Sequence, residues 1–363
     1  MRFPQTQSKT ATFPALWVIP LGLAILIGAG CRSLPPQPGA LEPRLGDEIV
    51  VAGKLVHTGT PVVTWMDPGG YDAYRVERRF SAFDKADWDH SRAEVRLFAP
   101  NRYGLRARDL SDEELERVRG GGWDLPLLQK KIDQFVIHYD VAGVSRQCFK
   151  TLQDGRGLSV HFMLDIDGTI YQTLDVKERA SHATKANDRS IGIEIANMGA
   201  YAANEDKPFD EWYKQVNGQT IITIPKNLGD GAVRTKRFVG HPAHPNSIKG
   251  TIQDRELEQY DFTPQQYTAL IRLTATLCTV FPKIQCRYPT DDSGKLIPHK
   301  LDDDNYNRYE GVLGHYHIQL DKSDPGPAFD WDRVINGARK LMQENAPKNC
   351  KRRNVKKYKF LTE

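Results

Sequence analysis

Ser190-Ile191-Gly192-Ile193-Glu194-Ile195-Ala196-Asn197 alternates without a break. Successive side chains of a strand point to opposite faces, so Ile191, Ile193 and Ile195 share one side and Gly192, Glu194 and Ala196 the other. The reading predicts a strand with one apolar face and a lone carboxylate on the opposite face. Upstream, Phe135-Val136-Ile137 is a short buried-strand signal that runs into His138. Val160–Asp165, Ile166–Thr169 and Ile170–Gln172 read as strand, hairpin turn and return strand. Downstream, Thr263-Pro264-Gln265-Gln266 is a capping box with proline at the first helical position. The helix it opens carries Tyr267, Leu270, Ile271, Thr274, Leu277 and Cys278 on one face. Trp331, Val334, Ile335, Ala338, Leu341 and Met342 give a last amphipathic helix, and residues 145–152 a shorter one. Strands alternating with helices, plus a hairpin, indicate an α/β fold with a central mixed β-sheet flanked by helices.

Around this core the organisation is coarser. Ser111-Asp112-Glu113-Glu114 is another capping box, and Gly120-Gly121-Gly122 ends the helix it starts. Within residues 46–125, the stretch 46–100 holds short β-type runs, such as Glu48–Val51 and Pro61–Trp65, with a turn at Asp67-Pro68-Gly69-Gly70. They are expected to form a small β-rich N-terminal extension. The main domain is placed at 126–345, with a long polar, turn-rich insertion at about 200–260. Residues 346–363 form a basic end, read as a solvated tail, with contact to anionic wall polymers or lipid head groups as the weaker option.

Arg2 and Lys9 precede an apolar run ending in Gly28-Ala29-Gly30-Cys31. A basic start, an apolar middle and small residues before a break read as a secretory signal over residues 1–30. The small residues before Cys31 resemble a bacterial lipoprotein signal, in which the cysteine is lipidated, although Gly28 stands where such signals usually carry leucine. A plain cleaved signal and an uncleaved anchor helix are the rival readings. All three place the rest of the chain outside the cytoplasm, in the bacterial envelope or periplasm, membrane-anchored if Cys31 is lipidated. Residues 31–45, with Leu34-Pro35-Pro36-Gln37-Pro38-Gly39, read as a proline-rich tether. The 363 residues carry a net charge of +4, and removing Arg2 and Lys9 takes this to +2. That balance is too mild to point to nucleic acid. Cys148, Cys278, Cys286 and Cys350 show no zinc-knuckle spacing. For Cys278, near Cys286, a buried thiol and a bridge are equally open.

The chemistry gathers around Gly314-His315-Tyr316-His317-Ile318-Gln319-Leu320-Asp321-Lys322-Ser323-Asp324-Pro325-Gly326-Pro327. A catalytic zinc takes three protein ligands and keeps an open position. His138 and His315 each follow an apolar run, and Asp324 sits before a stiff Pro-Gly-Pro. Glu194 is the candidate general base, and the Lys322 ammonium could face an oxygen that becomes negative when a carbonyl is attacked. Taken singly, each has a plain structural reading: a strand-end histidine, an ion-paired glutamate, a surface lysine. His241 and His244 could bind a second metal, but the prolines beside them suggest a turn.

Four ordered blocks resolve this. Phe135–Tyr139, Ser159–Phe162 running to Asp167–Gln172, Asn187–Glu194, and Gly314–His315 running to Lys322–Trp331 resemble the type 2 class of zinc-dependent N-acetylmuramoyl-L-alanine amidases. That class is related to phage lysozyme-type amidases and peptidoglycan-recognition proteins. The resemblance covers roughly residues 130–345. It implies zinc, one per chain, on His138, His315 and Asp324, with Glu194 as catalytic acid/base and Lys322 as transition-state stabiliser. It also implies substrate-cleft or scaffold positions for His161, Tyr171, His182 and Asn187. The implied substrate is peptidoglycan or a muropeptide, cut between muramic acid and L-alanine, by a chain expected to be monomeric. His317 and Asp321 drop out as ligands; alternate residues on an extended segment point oppositely, so His315 and His317 would not share one ion. Two other readings remain: a wall-binding protein that recognises muropeptides without cutting, and a zinc peptidase acting inside the stem peptide, although no HExxH helix is present.

Overall fold

The computed structural model describes residues 37–87, 89–90 and 103–345. The leader, Cys31, Cys350 and the basic tail lie outside them. The backbone divides into two compact units, Met1–Pro43 and Arg44–Glu363. Of the first, only residues 37–43 are described, with a turn at Pro38–Gly39 and exposed side chains.

The second unit is built on a six-stranded mixed sheet. Its strands are β1 (Val62–Thr64), β2 (Gln134–Tyr139), β3 (Phe162–Leu164), β4 (Ile170–Gln172), β5 (Ser190–Ile195) and one more after a hairpin. That hairpin is β6 (Ile248–Ile252) and β7 (Arg255–Gln259), and the last sheet strand is β8 (Gly311–Gly314). The order is β8-β2-β5-β3-β4-β1. All neighbours run parallel except the predicted hairpin β3–β4. Parallel strands are covered on both faces, which explains the near-continuous apolar run of β2.

The isoleucine face of β5 packs with Phe135, Ile137, Phe162 and Leu164 against two helices, Pro264–Val280 and Trp331–Glu344. The first of these starts as predicted: Thr263 accepts the Gln266 N–H, and the Gln266 side chain reaches back to the Thr263 N–H. The opposite face of the sheet carries smaller clusters, one around Val136 and Leu313, another around Met163, Tyr171, Phe149 and Tyr71. The helix from Ser145 to Lys150 continues as a π-helical turn, Thr151–Arg156.

Two peripheral segments take definite positions. Glu48–Val51 and Lys54–His57 form a hairpin, but Val62–Thr64 from the same N-terminal stretch joins β4 as the parallel edge of the central sheet. Part of the expected extension is therefore sheet, and its β-branched residues are buried on both faces. Arg106, from the same stretch, is fully buried; its guanidinium donates to the carbonyls of Val176, Asn187, Asp188 and Ser190. The insertion folds as a three-stranded sheet, Ala200–Tyr201 beside β7 and β6, and a hairpin Tyr213–Val216 with Gln219–Ile222. Among the described residues no helix is long and apolar enough to cross a membrane.

Candidate metal centre

The carboxyl ends of parallel strands are where α/β folds place their ligand sites, and the candidate residues meet there. His138 is in register with Glu194 across β2 and β5, and Glu194 is in turn in register with Met163 of β3. His315 follows directly on β8, whose Gly314 pairs with Ile137. The chain then turns and returns with Asp324. A Cβ on Gly314 would lie 2.7 Å from Pro325 Cδ, so glycine is what lets the two ends of this loop approach.

His138 Nδ1 lies 2.7 Å from Asp324 Oδ2, and His315 Nδ1 lies 3.1 Å from the same oxygen. All three residues are buried, and their ligand atoms lie within 4.8 Å of one another. Each histidine is fixed through its second nitrogen. His315 Nε2 donates to Gln319 Oε1 at 2.8 Å. His138 Nε2 is 3.1 Å from His182 Nδ1, and His182 Nε2 is 3.3 Å from Ser190 Oγ. Outer contacts of this kind set the tautomer and leave the Nδ1 lone pair available. His182 packs closely over residue 192 because that residue is glycine; a Cβ there would come within 2.6 Å of the imidazole.

The charges are strongly coupled. Burial works to raise the Asp324 pKa, but the His315 charge and hydrogen bonds to His138 and His315 outweigh it and hold the carboxylate well below its usual range. Burial, with repulsion from His315, lowers His138. Burial also acts to lower His315, but Asp324 and Gln319 together pull it up. The donor set is two imidazole nitrogens and one carboxylate oxygen from three places in the chain, which suits zinc with one position open. Among the described residues the other cluster of three, Asp47–Glu48–His57, is already engaged: Glu48 accepts the backbone N–H groups of Leu45 and Gly46, and Asp47 contacts the Gly59 N–H and the His57 ring Nδ1.

A cleft of about 480 Å³ opens over the centre. His138, His182, Glu194, His315, Lys322 and Asp324 line it, along with Asp140 and Arg156. Glu194 is partly buried, and its pKa is pushed up by burial first and then by the negative charges of Asp324 and Asp140, with Arg156 opposing. The Lys322 ammonium is 3.0 Å from Asp321 Oδ2.

Of the four cleft-or-scaffold residues, only His182 lines the cleft. Asn187 Oδ1 accepts the N–H groups of His182 and Ala183 and so holds that loop. His161 is fully buried: its Nδ1 accepts the Gly192 N–H, leaving the proton on Nε2, 2.9 Å from Glu178 O. Tyr171 packs against Tyr71 with ring centroids 4.5 Å apart. His317 faces away from the centre, as expected, but not for the reason given by an extended chain. His315–His317 is a 3₁₀ turn, and His317 is tied to Gly314 N and Ile297 O. His241 and His244 hydrogen-bond to the carbonyls of Thr220 and Asn246. Cys148, Cys278 and Cys286 are free thiols. Gln319, inside the Gly314–Pro327 stretch, and Arg156 had no signal in the sequence beyond being polar.

Residues 128–327 match the profile of the family described as N-acetylmuramoyl-L-alanine amidase. No curated protein sequence matches the chain. Among solved structures, the selenomethionine derivative of AmpD aligns at 18% identity over 65% of this chain and 89% of that one, with a TM-score of 0.30. The Escherichia coli amidase AmiD, in complex with an anhydro-muramyl peptide substrate, aligns at 20% identity over 57% of each chain, with a TM-score of 0.31. The endolysin LysCS from Clostridium intestinale URNW aligns at 18% identity over 58% of this chain and 84% of that one, with a TM-score of 0.31.

Proposed function

The chain belongs to the N-acetylmuramoyl-L-alanine amidase family, and from that premise we propose the reaction it carries out. The enzyme hydrolyses the amide between the lactyl group of N-acetylmuramic acid and the L-alanine of peptidoglycan or a muropeptide, with one zinc ion held by His138, His315 and Asp324. The observation that carries this reading is the convergence of His138 Nδ1, His315 Nδ1 and Asp324 Oδ2 in a cleft that Glu194 also lines.

Zinc, when bound, supplies Lewis acidity to the attacking water and to the amide carbonyl. The protein residues do the rest. Glu194 accepts the proton of the water at its carboxylate and returns it to the leaving L-alanine nitrogen. Burial, the largest influence, pushes its pKa up in the metal-free protein, toward the range in which a carboxyl can also donate a proton near neutrality. Lys322 lines the cleft, and its ammonium supplies positive charge to the oxyanion that develops on the carbonyl. The His138–His182–Ser190 and His315–Gln319 contacts keep both imidazoles in one tautomer.

The proposal extends to location: export, with a lipid on Cys31 anchoring the enzyme in the envelope. Metabolic labelling with palmitate, abolished in Cys31→Ala, tests it; a labelled variant would sink it. For the chemistry, metal analysis should find about one zinc per chain, lost in His138→Ala, and peptide release from purified sacculi should stop on chelation. A His138→Ala protein that keeps zinc and activity would contradict the ligand set.

A further inference from the structure

The hairpin β6–β7 of the insertion turns through two residues, Gln253 and Asp254, since Ile252 pairs directly with Arg255. Both lie in the left-handed region, with φ of +52° and +58°. Two-residue turns of this kind normally carry glycine, asparagine or aspartate, so Asp254 is ordinary there and Gln253 is not. A glutamine held in such a conformation points to work done by its side chain.

That side chain reaches the metal loop. Gln253 Nε2 donates to Tyr316 O at 2.8 Å and to Gln319 O at 2.9 Å. Its Oε1 accepts the Lys300 N–H at 3.1 Å, and its own N–H goes to Pro298 O at 3.0 Å. Gln319 is the residue whose Oε1 accepts from His315 Nε2. Its backbone N–H also bonds to His315 O at 3.1 Å. The far end of β7 repeats the arrangement on the Asp324 side. Gln259, fully buried, donates to Pro325 O at 3.0 Å and accepts the Ala328 N–H at 3.0 Å. The hairpin therefore grips both ends of the segment that carries His315 and Asp324.

We infer that Gln253 is a positioning residue for the metal ligand His315, acting through Gln319, and that the hairpin of the insertion is a brace for the metal loop. The inference rests on the zinc reading of His138, His315 and Asp324. It assigns this hairpin of the insertion to the support of the metal loop.

Gln253→Gly gives the test its leverage. Glycine relieves the backbone at this φ while deleting the side chain, so the turn survives and the grip is lost. In the full-length, zinc-free protein the thermal midpoint should be unchanged or raised. Zinc affinity, read by competition with a chromophoric chelator, should fall by about 10-fold, the lower end of what loss of an outer-shell partner does. The visible ligand-field band of the cobalt-loaded protein should shift as well. Gln253→Glu keeps the length and the acceptor for Lys300 N–H but cannot donate to the two carbonyls; it should show the same loss and decides the matter if the glycine variant fails to fold. Gln319→Ala should weaken zinc at least as much, and the double variant should be no weaker than Gln319→Ala alone. Wild-type zinc affinity in both Gln253 variants, or fully multiplicative losses in the double variant, would overturn the inference alone. A wild-type protein that binds no zinc would overturn the metal reading and this inference with it.

Discussion

Replacing Glu194 with glutamine separates chemistry from structure at this site. The side chain keeps its shape, and no hydrogen bond contributes to its pKa, which is set by burial and by Asp324 and Asp140. Nothing in the scaffold should therefore move. What is lost is a proton acceptor, and general acid–base groups contribute about 10²–10⁴ in rate. That corresponds to about 3–5 kcal/mol of barrier at about 1.4 kcal/mol per decade. Stability should move the other way. A carboxyl with a raised folded-state pKa binds its proton more tightly folded than unfolded, so wild-type stability declines as pH rises through that pKa, whereas glutamine does not titrate. In the zinc-free protein, Glu194→Gln should match wild type in acid and melt higher at about pH 8. The assays are turnover on a defined muropeptide, zinc content, and thermal melts at both pH values. Turnover within tenfold of wild type, with zinc retained, would refute Glu194 as the acid/base. Loss of zinc would instead make it part of the metal site, and a lower melting point at about pH 8 would refute the electrostatic argument.

Other changes have distinct signatures. Lys322→Ala should lower kcat by about 10²–10³ with zinc content unchanged; a change in KM alone would place Lys322 in substrate binding instead. Asp165 is fully buried, one carboxylate oxygen has no partner, and burial, the largest influence, pushes its pKa up to about 8. Wild-type stability should thus fall between the ordinary aspartate range and that value. Asp165→Asn, which keeps the oxygen that accepts the Ile166 N–H, should gain on wild type by about 1.4 kcal/mol per pH unit across that window and no further above it. Urea titrations at several pH values check this; a constant difference would contradict it. Thr263→Ala removes a helix cap that also bonds to Ile166 O, and should cost about 1–2 kcal/mol in chemical denaturation while leaving zinc affinity untouched.

Local signals in the sequence were enough for the central strands Gln134–Tyr139, Phe162–Leu164, Ile170–Gln172 and Ser190–Ile195 and the two long helices, and for which side of Ser190–Ile195 and of those helices faces inward. The Ile191–Ile193–Ile195 alternation gave both the strand and the side of Glu194, and Thr263 with Gln266 marked a helix start to the residue. Those signals are short-range: they come from the strand period and from orphan N–H groups at a helix end. They say nothing about partners far away in the chain. So the pairing of Val62–Thr64 with β4, the burial of Arg106 under Ser190 and Asp188, and the reach of Gln253 to Gln319 were invisible. The metal residues were a middle case. Each alone is ambiguous, and only the ordered blocks singled out His315 and Asp324 over His317 and Asp321. The 3₁₀ turn at His315–His317 was missed because single-turn geometry leaves no period to read.

The most direct test is mass spectrometry of the products from one defined muropeptide, with and without a zinc chelator. The account predicts two products, the muramyl sugar with a free lactyl carboxylate and the intact stem peptide with a free L-alanine amine, both absent on chelation and restored by zinc. A shortened stem peptide, an uncut muropeptide bound to the zinc-loaded protein, or the same products in full yield under chelation would contradict it.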